Sequence, residues 1–208
     1  MRNALLNPAT CFFGLVLLLL VGVAIAQIVD TEPGLTWQRP DADFSKYSKI
    51  HIKPLDLSDV KVLKPAWEQD DLTEWTFAPR ATETIKDMYM EIMSNELSKN
   101  GGFALVAEDG EGVLQLELEF LSITPYIKPG ASDADGHVIQ TLGSGDVVVS
   151  AELRDSRTGT LLFLVEGERK IGTTYREIGP ESHVANVEET FAAWGQRLRR
   201  YLDAAHGN

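Results

Sequence analysis

Hydrophobic side chains occupy alternate positions between residues 113 and 123, which predicts a β-strand with one buried and one wet face. The buried side would carry Leu114, Leu116, Leu118 and Phe120, and the wet side Gln115, Glu117 and Glu119. Shorter apolar or alternating stretches predict strands at residues 49–55, 103–106, 147–154 and 161–170. The last two should form a hairpin, because residues 155–159 read Asp-Ser-Arg-Thr-Gly, which suits a tight turn closed by glycine.

Two other segments have apolar residues at spacings of three and four, the pattern of an amphipathic α-helix. The first follows Pro79 and should end at the glycine pair of residues 101–102, which favours a left-handed terminator. The second spans residues 184–202. Asn186, with Glu189 three residues later, could form a capping box near its start.

The predicted order β-α-β-β-β-β-α indicates an α+β fold, with residues 49–205 as a single domain. We expect a single, mostly antiparallel sheet of about five strands, with both amphipathic helices packed on one face. Residues 27–48 are predicted to be an extended lead-in, and residues 56–78 and 124–146 to be connections. The uncovered face of the sheet would meet solvent or a partner through Gln115, Glu117, Glu119, Glu152 and Arg154.

An unbroken apolar run covers residues 11–26, after a basic start at Arg2. It ends in Ala24-Ile25-Ala26 and is shorter than the roughly 20 residues that cross a bilayer as a helix. Residues 1–26 are therefore predicted to be a signal peptide cleaved after Ala26, which gives a periplasmic or secreted protein. The alternative is an uncleaved membrane anchor that continues to Val29. Cys11 stands at the start of the apolar core, so a lipoprotein is not expected.

Acidic residues outnumber basic ones by 31 to 19, for a net charge of −12. Such a surface repels phosphate backbones and anionic headgroups, so neither nucleic acid nor a strongly anionic membrane is an expected partner. Cys11 is the only cysteine. After signal cleavage the chain would have no disulfide, no thiol nucleophile and no thiolate metal ligand.

Candidate metal ligands are scattered along the sequence. The four histidines lie far apart, at His51, His137, His183 and His206. Residues 133–136 begin like a calcium loop, but His137 follows at a ligand position and no glutamate closes the loop. No metal or cofactor is predicted.

No residue pattern in the sequence indicates a catalytic group. Ser144 lies between two glycines, but a strand follows it, whereas a nucleophile elbow requires a helix. The adjacent acids Asp70-Asp71 and Glu188-Glu189 suit solvated positions or a helix start better than an acid/base pair. We therefore predict no catalytic residue and no enzymatic activity.

The predicted connection of residues 56–78 is acidic but contains three large aromatic residues, Trp67, Trp75 and Phe77. Exposed together they would form an interaction patch. Folded back, they would cover the sheet or the first helix. A basic group at the end of the second helix, Arg197, Arg199 and Arg200, suits the helix dipole better than a lipid surface.

Three segments resemble a bacterial family known as domain of unknown function 3313. They are residues 37–54, which begin Trp-Gln-Arg-Pro-Asp-Ala-Asp-Phe-Ser-Lys-Tyr, residues 152–159, which read Glu-Leu-Arg-Asp-Ser-Arg-Thr-Gly, and residues 191–194, which read Phe-Ala-Ala-Trp. The resemblance implies an exported protein, and many members are lipoproteins. The order of elements is also similar to that of the curli-secretion lipoprotein and of lipoprotein activators of peptidoglycan synthases, which bind other proteins.

The leading hypothesis is a non-enzymatic exported protein that serves as a protein-binding or envelope-assembly accessory, with an envelope protein as its partner. The alternative is a carrier of a small or lipid-like ligand held between the sheet and the helices. A hydrolase whose site no motif reveals is a third possibility.

Overall fold

The computed structural model describes residues 34–70, 72–129, 140–177 and 179–207. The predicted signal peptide lies outside these residues. The strands are β1 (Gly34–Gln38), β2 (Lys49–Ile52), β3 (Lys61–Val62), β4 (Ala104–Leu105), β5 (Val113–Pro125), β6 (Gln140–Leu142), β7 (Gly145–Asp155), β8 (Leu161–Ile171) and β9 (Tyr175–Glu177). The α-helices are α1 (Pro79–Ser98) and α2 (Pro180–Ala205). Neither helix of the described part is long and apolar enough to span a bilayer.

Seven of the strands form one sheet in the order β1-β8-β7-β5-β2-β4, with β3 also paired to β5. The pairs β1/β8, β8/β7 and β7/β5 are antiparallel, whereas β2 and β3 run parallel to β5, and β4 runs parallel to β2. Strands β6 and β9 form a separate antiparallel pair. The α+β class and the largely antiparallel sheet are confirmed, but the prediction of about five strands is wrong.

The two additional strands of the main sheet carry no readable hydrophobic pattern. All five residues of β1 are exposed, and the strand lies at the sheet edge, where it pairs with β8. Strand β3 has only two residues, which pair with Ser122 and Ile123 of β5. Both strands are therefore defined by a neighbour that is distant in sequence and not by local periodicity.

Both helices pack on one face of the sheet, as the sequence predicts. Leu114, Leu116 and Phe120 of β5 belong to the buried core on this face. The Phe120 ring lies 6.3 Å from the rings of both Phe191 and Trp194 of α2. An apolar layer between the sheet and the helices therefore holds the fold together.

Helix α2 begins earlier than the sequence indicates. Pro180 is its first residue, and Gly179 precedes it as the N-cap. The backbone N–H of Gly179 donates to Ser182 Oγ at 2.8 Å, so Ser182 performs the capping predicted for Glu189. Asn186 is a buried residue inside the helix, so the predicted capping box of Asn186 and Glu189 is wrong.

The far end of α2 also stabilises the end of α1. Arg199 donates from Nη1 to the carbonyl oxygens of Leu97 and Lys99, at 3.3 and 2.8 Å. Its Nε donates to both carboxylate oxygens of Asp203. Because the last carbonyls of a helix have no partner within it, this guanidinium acts as a C-cap for α1.

Candidate functional site

A cavity of about 140 Å³ lies between the sheet and the two helices. Strands β5, β7 and β8 and both helices contribute to its wall, which is largely apolar. Its apolar lining includes Met93, Leu116, Leu118, Leu153, Trp194 and Leu198. The alternation of β5 and the helical spacing of α2 therefore direct their apolar side chains into one space.

The cavity reaches the surface beside the edge strand β1. Thr36 of β1 is exposed and is also part of the cavity wall. Gln38, which follows Thr36 by two residues in β1, accepts a hydrogen bond from the Tyr201 hydroxyl of α2 at 2.9 Å. This bond joins the helix to the sheet edge near the opening.

Tyr89 of α1 contributes a polar group to the cavity wall. Its side chain is fully buried and its ring lies 5.5 Å from Phe191, in an edge-to-face contact. Among the described residues, no group forms a hydrogen bond with its hydroxyl. Burial raises the pKa of Tyr89, so the hydroxyl keeps its proton. A buried polar group without a partner typically costs about 1–3 kcal/mol.

Arg169 of β8 contributes a positive charge to the same wall. The residue is only 4% exposed, and Nη1 donates to the carbonyl oxygen of Glu168 at 2.7 Å. A guanidinium has five N–H donors and remains charged inside a protein. Glu152 and Arg197 also line the cavity, but both are only partly buried, and the Glu152 carboxylate pairs with Arg154. Among the buried residues of the wall, Tyr89 and Arg169 are therefore the two with polar side chains.

A separate polar cluster lies where α2 begins. Ser144 Oγ is 2.8 Å from Nδ1 of His183 and accepts from Nδ2 of Asn186 at 2.8 Å. Next to it, the backbone N–H of Gly172 donates to Thr190 Oγ1 at 2.7 Å. These bonds tie the first half of α2 to the turns before β7 and after β8.

The contact between Ser144 and His183 has the residue types of a nucleophile and its base. Sequence reasoning did not bring them together, because 39 positions separate them and no motif connects them. Ser144 is only 7% exposed, and its oxygen already accepts from Asn186. The neighbouring carboxylate of Glu189 is held by Thr173, Thr174 and Arg176. We interpret the cluster as a structural contact that holds the first half of α2 against the sheet.

The structure separates the three aromatic residues that the sequence singles out. Trp67 is 66% exposed and its ring lies 5.9 Å from that of Tyr126. Trp75 is buried, and Phe77 is partly buried against the core. Of the three, Trp67 has the side chain best placed to contact a partner, and the interaction patch stays a prediction.

The remaining candidates have local partners or lie outside the described residues. His51 Nδ1 is 2.8 Å from Asp109, and this contact is the main cause of the lowered pKa of the Asp109 carboxyl. His206 contacts the carbonyl oxygens of Leu202 and Tyr47. His137, residues 133–136 and Asp71 are not described. Within the described ranges, no group of three or more His, Cys, Asp or Glu side chains could hold a metal ion.

Several solved bacterial structures resemble this fold at low identity. The PelC dodecamer from Paraburkholderia phytofirmans is 10% identical with a TM-score of 0.36, and the match covers 82% of this chain and 97% of PelC. A minor lipoprotein from Acinetobacter baumannii is 14% identical with a TM-score of 0.34, over 76% of this chain and 94% of its own.

A DUF4136 family protein from Bacteroides thetaiotaomicron is 12% identical with a TM-score of 0.37, over 83% of this chain and 98% of its own. No curated protein matches the chain significantly. Residues 27–198, in contrast, match the family described as protein of unknown function DUF3313. The chain therefore belongs to the DUF3313 family.

Proposed function

We propose that this chain is a non-enzymatic, exported binding protein and that the cavity between its sheet and helices holds a small apolar ligand. The observation that supports this proposal is the apolar space of about 140 Å³ beneath the helices. Side chains leave this space unfilled although both helices pack over it. Positions where packing is incomplete are often functional sites.

The size of the cavity defines the size of the ligand. Most sites for drug-sized molecules measure about 300–1,000 Å³, well above the volume found here. An apolar cavity of about 150 Å³ is known to accept benzene. The ligand we propose therefore places a single ring or a short hydrocarbon chain between the sheet and the helices.

Toluene is a suitable probe of this site, since it has a single ring and no polar group. We expect toluene to bind the exported protein and to raise its melting temperature by mass action. Ala151 lines the cavity, so Ala151→Leu should fill the space and abolish the shift. Ala193 is exposed on α2, and Ala193→Leu should leave the shift unchanged. No shift in the unmodified protein would contradict the proposal.

A second candidate function is that of a protein-binding accessory in envelope assembly. It is favoured by three exposed apolar side chains in the connection between β2 and α1, namely Leu63, Trp67 and Leu72, which we call the loop surface. Exposed Trp side chains are typical anchors of protein interfaces. Large apolar side chains that are exposed together on an acidic protein often mark an interaction site.

Crosslinking in intact cells tests this second function. We expect Trp67→Ser to remove a crosslinked species, and Trp37→Ser to leave it in place. Trp37 is a matched control because it is also exposed but lies in β1, outside the loop surface. An identical pattern for Trp67→Ser and the unmodified protein would contradict a role for the loop surface.

Export itself depends on the N-terminal segment. We expect the mass of the protein recovered from the periplasm to correspond to a chain that begins at Gln27, because cleavage should follow Ala26. An intact N-terminus in the membrane fraction would instead support the uncleaved anchor.

A further inference from the structure

We propose that two copies of this chain form a dimer by antiparallel pairing of their β1 strands, so that the two main sheets become continuous. The interface would be the outer edge of β1 (Gly34–Gln38), with a two-fold axis at Thr36. This inference goes beyond the proposed function and does not depend on it.

The first support is that β1 is an unprotected sheet edge. Among the described strands it pairs only with β8, and all five of its residues are exposed. Its sequence, Gly-Leu-Thr-Trp-Gln, contains no charge and no proline, and it pairs with β8 without a bulge. Native proteins generally use such features, or very short strands, to prevent pairing at an edge. The opposite edge strand, β4, has only two residues.

The second support is the direction of the free backbone groups of β1. The N–H of Arg39, the residue after this strand, donates to the carbonyl oxygen of Leu162 at 2.9 Å. Because backbone groups alternate in direction along an antiparallel strand, those of every second residue before Arg39 also face β8. The remaining residues, Gly34, Thr36 and Gln38, direct theirs outward. Two copies centred on Thr36 would therefore place outward groups opposite outward groups.

The third support is that the side chains of β1 match each other in this register. Leu35 of each copy would lie opposite Trp37 of the other, and these side chains are 54% and 38% exposed in the single chain. Leu164 of β8 lies beside Trp37 on the same face. Cross-strand pairs of apolar side chains stabilise a sheet. The pairing would therefore cover apolar surface that the single chain exposes.

The fourth support is the charge near the strand, which favours a second copy as the occupant. The chain carries a net charge of −12, but β1 itself is uncharged, so two copies can meet there. Glu166 of β8 pairs with Leu35 near the start of β1, and Arg39 follows its end. Antiparallel pairing brings the start of one strand to the end of the other. Each Arg39 would therefore approach Glu166 of the second copy, which is an attractive arrangement.

The dimer would also add a residue to the opening of the cavity. Thr36 belongs to the cavity wall and would lie at the two-fold axis. Thr36 of the second copy would face it, so the two cavities would open next to each other. Five residues from each copy make a small contact, and interfaces below about 1,200 Å² are typically weak. We therefore expect a dimer that dissociates at micromolar concentrations.

Sedimentation equilibrium of the exported protein from about 5 to about 500 μM tests the dimer. We expect the mass to rise from that of one chain toward twice that value. Thr36→Pro removes an outward N–H at the two-fold axis but no bond to β8, and it should weaken the dimer at least about tenfold. Trp67→Ser is the matched control, because Trp67 is exposed but lies outside β1, and it should leave the dimer unchanged.

Disulfide formation tests the register. After signal cleavage the chain would contain no other cysteine, so one introduced residue reports on one contact. Thr36→Cys would place its Cα about 5.5 Å from that of its counterpart, within the range of a disulfide. Leu35→Cys is the control, because its counterpart would lie diagonally, about 7–8 Å away, which is too far. We expect oxidation to link Thr36→Cys into dimers and Leu35→Cys far less.

The outcomes distinguish this inference from the proposed function. A single-chain mass at the highest concentration would overturn the dimer, and toluene binding by that single chain would leave the cavity function in place. A dimer that Thr36→Pro does not weaken would also overturn the inference. So would equal linking of Leu35→Cys and Thr36→Cys. Because the cysteine variants introduce no proline into β1, they test the pairing if Thr36→Pro does not fold.

Discussion

Tyr89 and Tyr47 are both buried, but their hydroxyl groups have different surroundings. The Tyr47 hydroxyl donates to a carboxylate oxygen of Asp155 at 2.7 Å, whereas that of Tyr89 has no partner among the described residues. Tyr47→Phe should therefore lower the free energy of unfolding by about 1.5–3 kcal/mol. Tyr89→Phe should leave this free energy unchanged or raise it by about 1 kcal/mol, because it removes an unsatisfied buried group.

Urea unfolding of the ligand-free protein measures both changes. A loss of more than about 1 kcal/mol for Tyr89→Phe would indicate that its hydroxyl has a partner in the folded protein.

We expect His183 to make the stability dependent on pH. Burial lowers the pKa of His183 below its ordinary value of 6.5. In the unfolded chain the imidazole takes up a proton near its ordinary pKa, whereas the folded protein takes it up only at lower pH. The free energy of unfolding should therefore fall as the pH drops below about 6.5, and this loss should end below the folded pKa.

The variant His183→Gln should reduce this loss of stability between about pH 7 and pH 5, as measured by urea unfolding at each pH. His51→Gln is the control, because His51 pairs with Asp109 at the surface and is not part of the cluster with Ser144. Equal losses in His183→Gln and the unmodified protein would show that His183 does not cause the dependence.

At the scale of elements, the contact between α1 and α2 depends on Gly195. A Cβ atom at this position would lie 2.8 Å from Cβ of Glu96 and 3.3 Å from Sδ of Met93, both on α1. Alanine is favoured over glycine in a helix by about 1 kcal/mol, but forcing the helices apart typically costs about 1–3 kcal/mol. We expect the steric cost to prevail, so that Gly195→Ala lowers the melting temperature.

Gly179→Ser is the matched control for this substitution. A Cβ at Gly179 meets no atom within 4 Å, and serine is a favoured N-cap residue. We expect its melting temperature to be unchanged or slightly higher. A melting temperature for Gly195→Ala at or above that of the unmodified protein would show that the helices adjust without cost.

The elements also differ in how well the sequence predicts them. Strands β5, β7 and β8 and both helices are long enough for alternation or helical spacing to be recognised. Strands β1 and β3 are short, and their residues do not alternate between buried and exposed. These two strands form because β8 and β5 offer them unpaired backbone groups for hydrogen bonding. The local sequence pattern does not show that a distant strand will do so.

At the scale of the molecule, the net charge of −12 leads us to expect little binding to anionic surfaces. We expect the chain that begins at Gln27 to remain in the supernatant when mixed with vesicles containing anionic lipid at low salt. Vesicles of neutral phosphatidylcholine are the control. Sedimentation with anionic vesicles alone would reveal a local basic surface that outweighs the overall charge.

The sequence by itself determined the α+β class, the main strands and helices, the acidic surface and the predicted export signal. These properties depend on composition and on the periodicity of neighbouring residues. Both can be read from the sequence without knowledge of the fold. The candidate aromatic patch was also visible, but the burial of Trp75 was not, because burial depends on distant segments.

Only the tertiary structure decided which chemical groups meet. Tyr89 lies on α1 and Arg169 on β8, and the packing of α1 against the sheet places both in one cavity wall. Ser144 and His183 come into contact through the docking of α2. Sequence spacing does not predict such contacts, because they depend on how the helices pack across the sheet.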